Sequence, residues 1–206
     1  TPVAGKELEM LEAAGTGNEV KVVLLTERDA IERVLEYVIR GNTLQLGNPA
    51  FRKELEAWIR FSDGEAIATG DGLSARVTGN PPTPRWLGKY LLRVMLRAKS
   101  ENDKIARQIR SSAGIAVFVS EVNDRAHWME AGRCYQRFAL QATALGIHNA
   151  FINQPVEEAT VRPEFARAMV LGGGRPDLVV RFGRGKAMPK SLRRPIESVI
   201  ISEDAQ

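Results

Sequence analysis

The chain has 206 residues, of which 44% are hydrophobic and 26% charged. That balance excludes disorder as its main state and favours one domain over two. Apolar runs such as Val22–Leu25 and Ile115–Val119 are short, far below the roughly 20 residues of a membrane-spanning helix, and no secretory leader is visible. A single cysteine, Cys134, excludes an internal disulfide framework and any cysteine-based zinc cluster. It fits a reducing, cytoplasmic setting.

Residues 6–14 read as a short helix closed by Gly15 and Gly17. Val20–Leu25 is an almost continuous apolar strand, which predicts burial on both faces. A helix follows from Arg28 to Arg40, with Ile31, Val34, Leu35, Val38 and Ile39 in one stripe, and Gly41-Asn42 signals a left-handed cap. Pro49 opens another short helix carrying Phe51, Leu55, Trp58 and Ile59. From 61 to 84 the periodicity is lost among glycines and prolines, so residues 61–85 are expected to form an irregular lid or loop insertion. One or two helices span Trp86–Ser111, and Ala113–Val119 is a strand.

Asn123 or Asp124 caps the longest helix, which ends at Gly146. Ala131, Tyr135, Phe138, Ala142 and Leu145 form its apolar stripe, and Cys134, Ala139 and Leu140 widen it, so most of this helix is expected to be buried. Ala150–Ile152 is a short strand, Arg162–Leu171 a helix, Leu178–Phe182 a strong strand and Val199–Ile201 a terminal strand. Strands alternating with helices predict a mixed α/β class with a central sheet covered by helices. Gly172-Gly173-Gly174 precedes a strand and reads as a turn, not as a dinucleotide fingerprint.

The two histidines carry little chemistry. His127, flanked by Asp124 and Glu130, reads as a surface or capping residue rather than a metal ligand or catalyst, and His148 similarly. No nucleophile motif or phosphate-binding P-loop is present. Any redox chemistry therefore needs a bound cofactor, because these side chains cannot carry a hydride.

Net charge is +4 and strongly localised. Arg175, Arg181, Arg184, Lys186, Lys190, Arg193 and Arg194, opposed only by Asp177, give one 20-residue stretch +6, and the remainder sums to −2. Such local charge without interleaved aromatics argues against a nucleic-acid partner and for a compact anion site. Arginine forks suit a phosphate. The turn Asn153-Gln154-Pro155 presents backbone amides and carbonyls that can read the edge of a planar heterocycle. A plain loop with a proline stop, and a solvated basic tail, are the alternatives.

Three blocks of the chain resemble the FMN-binding nitroreductase family, specifically its Acg-like branch. They are Phe51-x-x-Glu54-Leu55-x-x-Trp58-Ile59-Arg60; the helix from Met129-Glu130-Ala131-Gly132 to Ala142-Thr143-Ala144-Leu145-Gly146; and Pro176-Asp177-Leu178-Val179-Val180-Arg181-Phe182-Gly183 leading to Arg193-Arg194-Pro195. Asp71-Gly72-Leu73 adds to them. The resemblance implies an α+β, three-layer αβα sandwich with a mixed, largely antiparallel central sheet. It implies FMN as cofactor, with Ile152, Asn153 and Gln154 beside the isoalloxazine ring and Arg193 and Arg194 at its phosphate.

The activity implied is transfer of a hydride from NAD(P)H to the flavin and on to a small nitro-aromatic or quinone-like acceptor. The long helix would meet a second nitroreductase-like unit, either the other chain of a homodimer or the other half of one longer chain. The family's N-terminal arginine-rich motif and the Pro-Ser…Asn segment that follows it are not found. The expectation is therefore a single nitroreductase-like domain lacking the usual N-terminal segment, with a non-catalytic flavin-binding domain as the alternative.

Overall fold

Four strands carry the apolar runs of the sequence into one sheet. The computed structural model of the protein describes residues 2–79 and 81–200, which divide into two compact units. The first is Thr1–Asn48 with Arg97–Lys186, the second Pro49–Leu96 with Ala187–Gln206.

In the first unit the chain order is α1 (Gly5–Gly15), β1 (Val20–Leu25), α2 (Arg28–Gly47), α7 (Ala98–Arg110), β4 (Gly114–Ser120), α8 (Arg125–Ala144), β5 (His148–Phe151), α9 (Gln154–Glu157), α10 (Arg162–Ala168) and β6 (Arg175–Gly183). The strands lie in the order β1-β4-β6-β5, and each neighbouring pair is antiparallel, with Val22 opposite Phe118, Ala116 opposite Val180 and Ala150 opposite Arg181. β4 is buried along its whole length, as befits a central strand covered on both faces.

The period-two alternation of β4 and β6 sends side chains to two separate cores. Ile115, Val117 and Val179 pack with Ile31, Val34 and Ile152. Ala116, Phe118, Val180 and Phe182 pack with Cys134 and Phe138. Phe118 meets Tyr135 and Phe138 edge-on, at 6.1 and 5.6 Å between ring centroids. Helices thus cover both faces of an antiparallel sheet, the expected α+β layering.

Several expectations require correction. β1 is an edge strand: Val20 and Val22 are buried, but Lys21 is exposed and Val23 to Leu25 are only partly covered. Its two faces are both covered but unequally: Val20, Val22 and Leu24 pack into one core, and Val23 and Leu25 lie partly covered against the other. α2 does not stop at Gly41-Asn42; it continues to Gly47. A Cβ on Gly41 would lie 2.6 Å from the Gln154 carbonyl oxygen, so this glycine admits α9 rather than ending the helix. Asn42 is likewise internal, donating to Asn102 Oδ1 at 2.7 Å.

α8 begins where the Asp124 carboxylate accepts the His127 amide at 2.9 Å and ends before Gly146, at φ +67°. Only one face is buried (His127, Ala131, Cys134, Phe138, Ala142). Trp128, Met129 and Leu140 are exposed, and a Cβ on Gly132 would meet nothing within 4 Å.

The second unit contains α3 (Pro49–Trp58), β2 (Ile59–Arg60), α4 (Asp63–Thr69), β3 (Leu73–Ser74), α5 (Ala75–Thr78), α6 (Arg85–Met95) and a terminal 3-10 turn at Ile196–Ser198. The stretch 61–85, expected to be irregular, is largely structured. Ser62 Oγ accepts the Glu65 amide at 3.2 Å while the Glu65 carboxylate accepts the Phe61 amide at 3.0 Å, and Gly70 ends α4 in the left-handed conformation at φ +64°. Two of the glycines that resemble breakers, Gly70 and Gly79, are helix stops. β2 and β3 pair in parallel, Ile59 with Leu73. No terminal strand forms at the expected place: the Val199 amide closes the 3-10 turn on the Ile196 carbonyl at 3.0 Å, and Ile201 lies outside the described residues.

Candidate functional site

The turn after β5 is held by the sheet rather than left to itself. The Ile152 amide donates to the Val179 carbonyl at 2.9 Å, and Asn153 Oδ1 accepts the Val179 amide at 2.8 Å. β6 therefore fixes two successive residues of the turn from a single residue, Val179. The Asn153 carbonyl then accepts the amides of Val156 and Glu157, at 2.8 and 2.9 Å, and starts α9. Ile152 is buried in the core shared with α2, so it anchors the turn and contributes its backbone. Gln154 holds its backbone against Gly41, and its Oε1 is buried without a hydrogen-bond partner among the described residues. A buried, unpaired amide oxygen is costly, on the order of 1–3 kcal/mol, unless a donor meets it.

β5 itself is positioned from α8. The Tyr135 hydroxyl donates to Asn149 Oδ1 at 3.1 Å, and the Tyr135 and Phe151 rings meet at a tilt of 43° with centroids 4.5 Å apart. Burial raises the Tyr135 phenol above its usual range, which keeps it a proton donor.

Arg193 and Arg194 belong to the second unit, so the five residues singled out from the sequence fall in two bodies. Both arginines are exposed. Arg193 donates to Ser191 Oγ at 3.4 Å. The Arg194 stem passes Gly70, and its charge helps, as a minor contribution, to hold the Asp71 carboxyl below the usual carboxylate range; the main cause is the hydrogen bond from Arg60. Arg60, 7% exposed, is the buried hub of this unit. It donates to Asp71 Oδ1 at 2.6 Å, Thr69 Oγ1 at 3.0 Å and the Ala57 carbonyl at 2.6 Å.

The sequence missed one feature of the first unit. Arg181 sits within the basic stretch, but nothing in the sequence distinguishes it from its neighbours. Arg175 is ion-paired with the buried Asp177, and Arg184 donates to Glu7 Oε1 at 2.7 Å. Arg181 lies between them, half-buried, and has no side-chain partner among the described residues. Burial alone pushes its guanidinium below the usual arginine range.

His127 is neither a surface residue nor the cap itself: Asp124 caps the helix and holds the His127 amide, and the imidazole is buried. Its ring meets Asp124 Oδ1 at 2.7 Å and Glu19 Oε2 at 3.0 Å, while Glu130 pairs with Arg137 instead. Cys134 is fully buried, and burial raises its thiol above the usual range. Among the described residues no group of three His, Cys, Asp or Glu side chains could hold a metal ion, and no helix is long and apolar enough to cross a membrane. A polar cleft of about 420 Å³ lies elsewhere in the first unit, lined in part by Glu19, Lys21, Ser120 and Glu121. It contains none of the five residues singled out from the sequence, and its mixed charges select no ligand class.

The arrangement of a helix-covered antiparallel sheet is that of the nitroreductase fold. Solved structures similar to this chain include a nitroreductase with bound FMN from Desulfitobacterium hafniense, at 13% identity and TM-score 0.55, with 98% of this chain and 88% of that one covered. A nitroreductase with bound FMN from Bacteroides fragilis is similar at 15% identity and TM-score 0.53, with 98% and 90% covered. The NADPH:FMN oxidoreductase of Vibrio harveyi, complexed with NAD+, is similar at 13% identity and TM-score 0.50, with 100% and 71% covered. No protein-family model and no curated protein matches the sequence. At these identities the likeness defines the fold.

Proposed function

We propose that this protein is an FMN-dependent oxidoreductase of nitroreductase type, resembling the Acg-like branch. In this reading hydride passes from NADH or NADPH to the flavin and on to a small nitro-aromatic or quinone-like acceptor. The observation that carries the reading is the turn Ile152-Asn153-Gln154, pinned by β6 and carrying a buried amide oxygen without a partner. In a fold whose relatives are solved with FMN, that turn has the donor and acceptor groups a flavin ring edge requires.

The residues present fit such a group. Ile152 and Asn153 would set the ring by backbone contacts, and Gln154 would hydrogen-bond its polar edge. Arg193, with Arg194 second, would hold the phosphate by paired, charge-assisted hydrogen bonds. Bound FMN supplies the two-electron chemistry that the side chains lack; the protein orients it and excludes water. The exposed apolar side chains Trp128, Met129 and Leu140 on α8 support a second copy of the chain, or a second nitroreductase-like unit, against that helix.

The visible absorption spectrum of the purified protein, before and after adding FMN, tests this directly. A bound-flavin band is expected, with NAD(P)H oxidation when a quinone is supplied; no band after reconstitution overturns the reading. Flavin retained without turnover would instead identify a flavin-holding domain. Arg193→Ala is expected to weaken FMN binding about tenfold or more, the scale of a charged hydrogen bond, while Lys186→Ala changes it little. Equal losses in a fluorescence titration would refute the phosphate assignment.

A further inference from the structure

One helix of the second unit keeps aromatic surface in water. Along α6, with about 3.6 residues per turn, Trp86, Tyr90 and Val94 fall on one stripe. Arg85, Lys89 and Arg93 fall on the stripe beside it. Trp86, Tyr90 and Val94 are all exposed. The helix cannot roll to hide them, because its other side is committed: Gly88 is buried, and a Cβ there would collide with the Phe61 ring. A contiguous stripe of this kind, unlike a single exposed apolar residue, marks a contact surface.

The charges beside the stripe indicate what that surface meets. α3 and α6 together carry five cations (Arg52, Lys53, Arg85, Lys89, Arg93) and two carboxylates (Glu54, Glu56). Glu65 pairs with Arg85, and Glu56 is shared between Lys89 and Arg93. Arg52 and Lys53 have no hydrogen-bond or ion-pair partner among the described residues. Glu54 does not offset them at this place, since it lines a separate groove with Phe51, Leu55 and Trp58. Arg52, Lys53 and Arg93 instead border a groove of about 430 Å³ with Pro49, Leu92 and Leu96. Arg93 belongs to both features, so the basic groove and the aromatic stripe form one continuous face.

We infer that this face of α3 and α6 docks the second unit on an anionic lipid surface. Trp86 and Tyr90 have the apolar body and polar tip that suit the headgroup boundary, and Val94 extends that contact. Arg52, Lys53 and Arg93 lie where phosphates would be met, with Leu92 and Leu96 beside them for the lipid's carbon atoms. A basic amphipathic helix with aromatic residues on its apolar face binds such surfaces by burial and charge together. A two-fold pairing of copies through the same face would bring its uncompensated cations against one another. Leu92, Leu96 and Pro49 offer no side-chain hydrogen bond to a nucleic-acid base. The inference does not depend on the flavin reading.

Cosedimentation of the full chain with vesicles tests it, using phosphatidylcholine alone and phosphatidylcholine with about one third phosphatidylglycerol. Binding is expected to the mixed vesicles only, with a blue shift of tryptophan emission and release by added salt. Arg52→Gln and Lys53→Gln should each weaken it about fivefold, and Trp86→Ala about tenfold, the scale of partly burying one large apolar side chain. Trp86→Phe should keep most of the binding and lose much of the blue shift. Arg33→Gln, a change at an exposed arginine of the first unit, should alter neither. All five positions are exposed or point to water, and thermal melts check that each variant is folded. No binding to the mixed vesicles, or equal binding to both kinds, overturns the inference. Losses as large for Arg33→Gln as for Arg52→Gln reduce it to general attraction by net charge and overturn the site. Self-association abolished by Trp86→Ala, or oligonucleotide binding, in a chain that ignores vesicles would assign the face to that other partner and overturn it too.

Discussion

The two units are held together by different physics. In the first, β4 is buried throughout and the sheet feeds two cores, so stability comes from apolar area removed from water, about 25 cal/mol per Å². In the second, Phe61 is the one large apolar side chain buried among the described residues, and α3 buries none. Trp86 and Tyr90 are 74% and 62% exposed. Polar contacts take the place of a core there: Arg60 with Asp71, and Glu56 with Lys89 and Arg93. Exposed ion pairs contribute little each, roughly 0–1 kcal/mol, so the second unit depends on the one arginine that is buried. The difference teaches that the turn Ile152–Gln154 stands on a well-packed sheet, whereas Arg193 and Arg194 belong to a unit with little core of its own.

That contrast can be broken or sharpened by mutation. The largest effect is expected from Phe118→Ala, which empties a fully buried site between Tyr135 and Phe138; urea unfolding should show a loss of about 3–5 kcal/mol. A loss below ~1 kcal/mol would mean the first unit is not core-dominated. Arg60→Ala should cost about 2 kcal/mol, the scale of charged hydrogen bonds lost. Proteolysis should then begin within 49–96 while the first unit stays resistant; cleavage starting in β4 would contradict the division.

The same pair sets an acid sensitivity. The folded Asp71 carboxyl is depressed by Arg60, so its contribution is present above the unfolded value near 3.9 and is lost as pH falls through the folded one. Arg60→Ala should shrink that acid dependence, with the Thr69 hydrogen bond retaining part of it, read as the pH profile of proteolysis in the second unit.

Gly41→Ala is a smaller and more diagnostic change. Helix propensity alone would make it stabilising by about 1 kcal/mol. The Gln154 backbone in the way makes it destabilising instead, by roughly 1–3 kcal/mol from overpacking. A raised melting temperature would show that α9 does not need that close approach. The smallest effect is His127→Gln. The Asp124 hydrogen bond is the main cause of the raised imidazole pKa, with Glu19 adding to it and burial opposing. That contribution is full below the unfolded value near 6.5 and is lost as pH rises through the folded one. The variant should flatten the alkaline limb of melting temperature against pH; an unchanged limb would assign it to other groups.

Much of the fold was legible because it rests on periodicity. The strands at β1, β4, β5 and β6 and the stripes of α2 and α8 follow from apolar spacing, and the Asp124 cap and Gly146 stop from local backbone preference. Reading failed where one residue type serves two purposes. Gly41 looks like a helix stop and is a packing glycine; Gly70 looks like part of an irregular loop and is a stop. The candidate turn at Ile152–Gln154 was visible in sequence, but its attachment to Val179 was not, since that depends on strand register.

The amino-acid sequence by itself determined where the main helices and strands of the first unit form, that cysteine or disulfide chemistry is not the basis of the fold, and that basic residues crowd between Arg175 and Arg194. Tertiary structure alone decided which of those arginines acquired a carboxylate and which did not. Charge is a property of one residue, but neutralisation belongs to a pair distant in sequence: Arg184 meets Glu7 from the opposite end of the first unit's chain, and Arg181 meets no such group among the described residues.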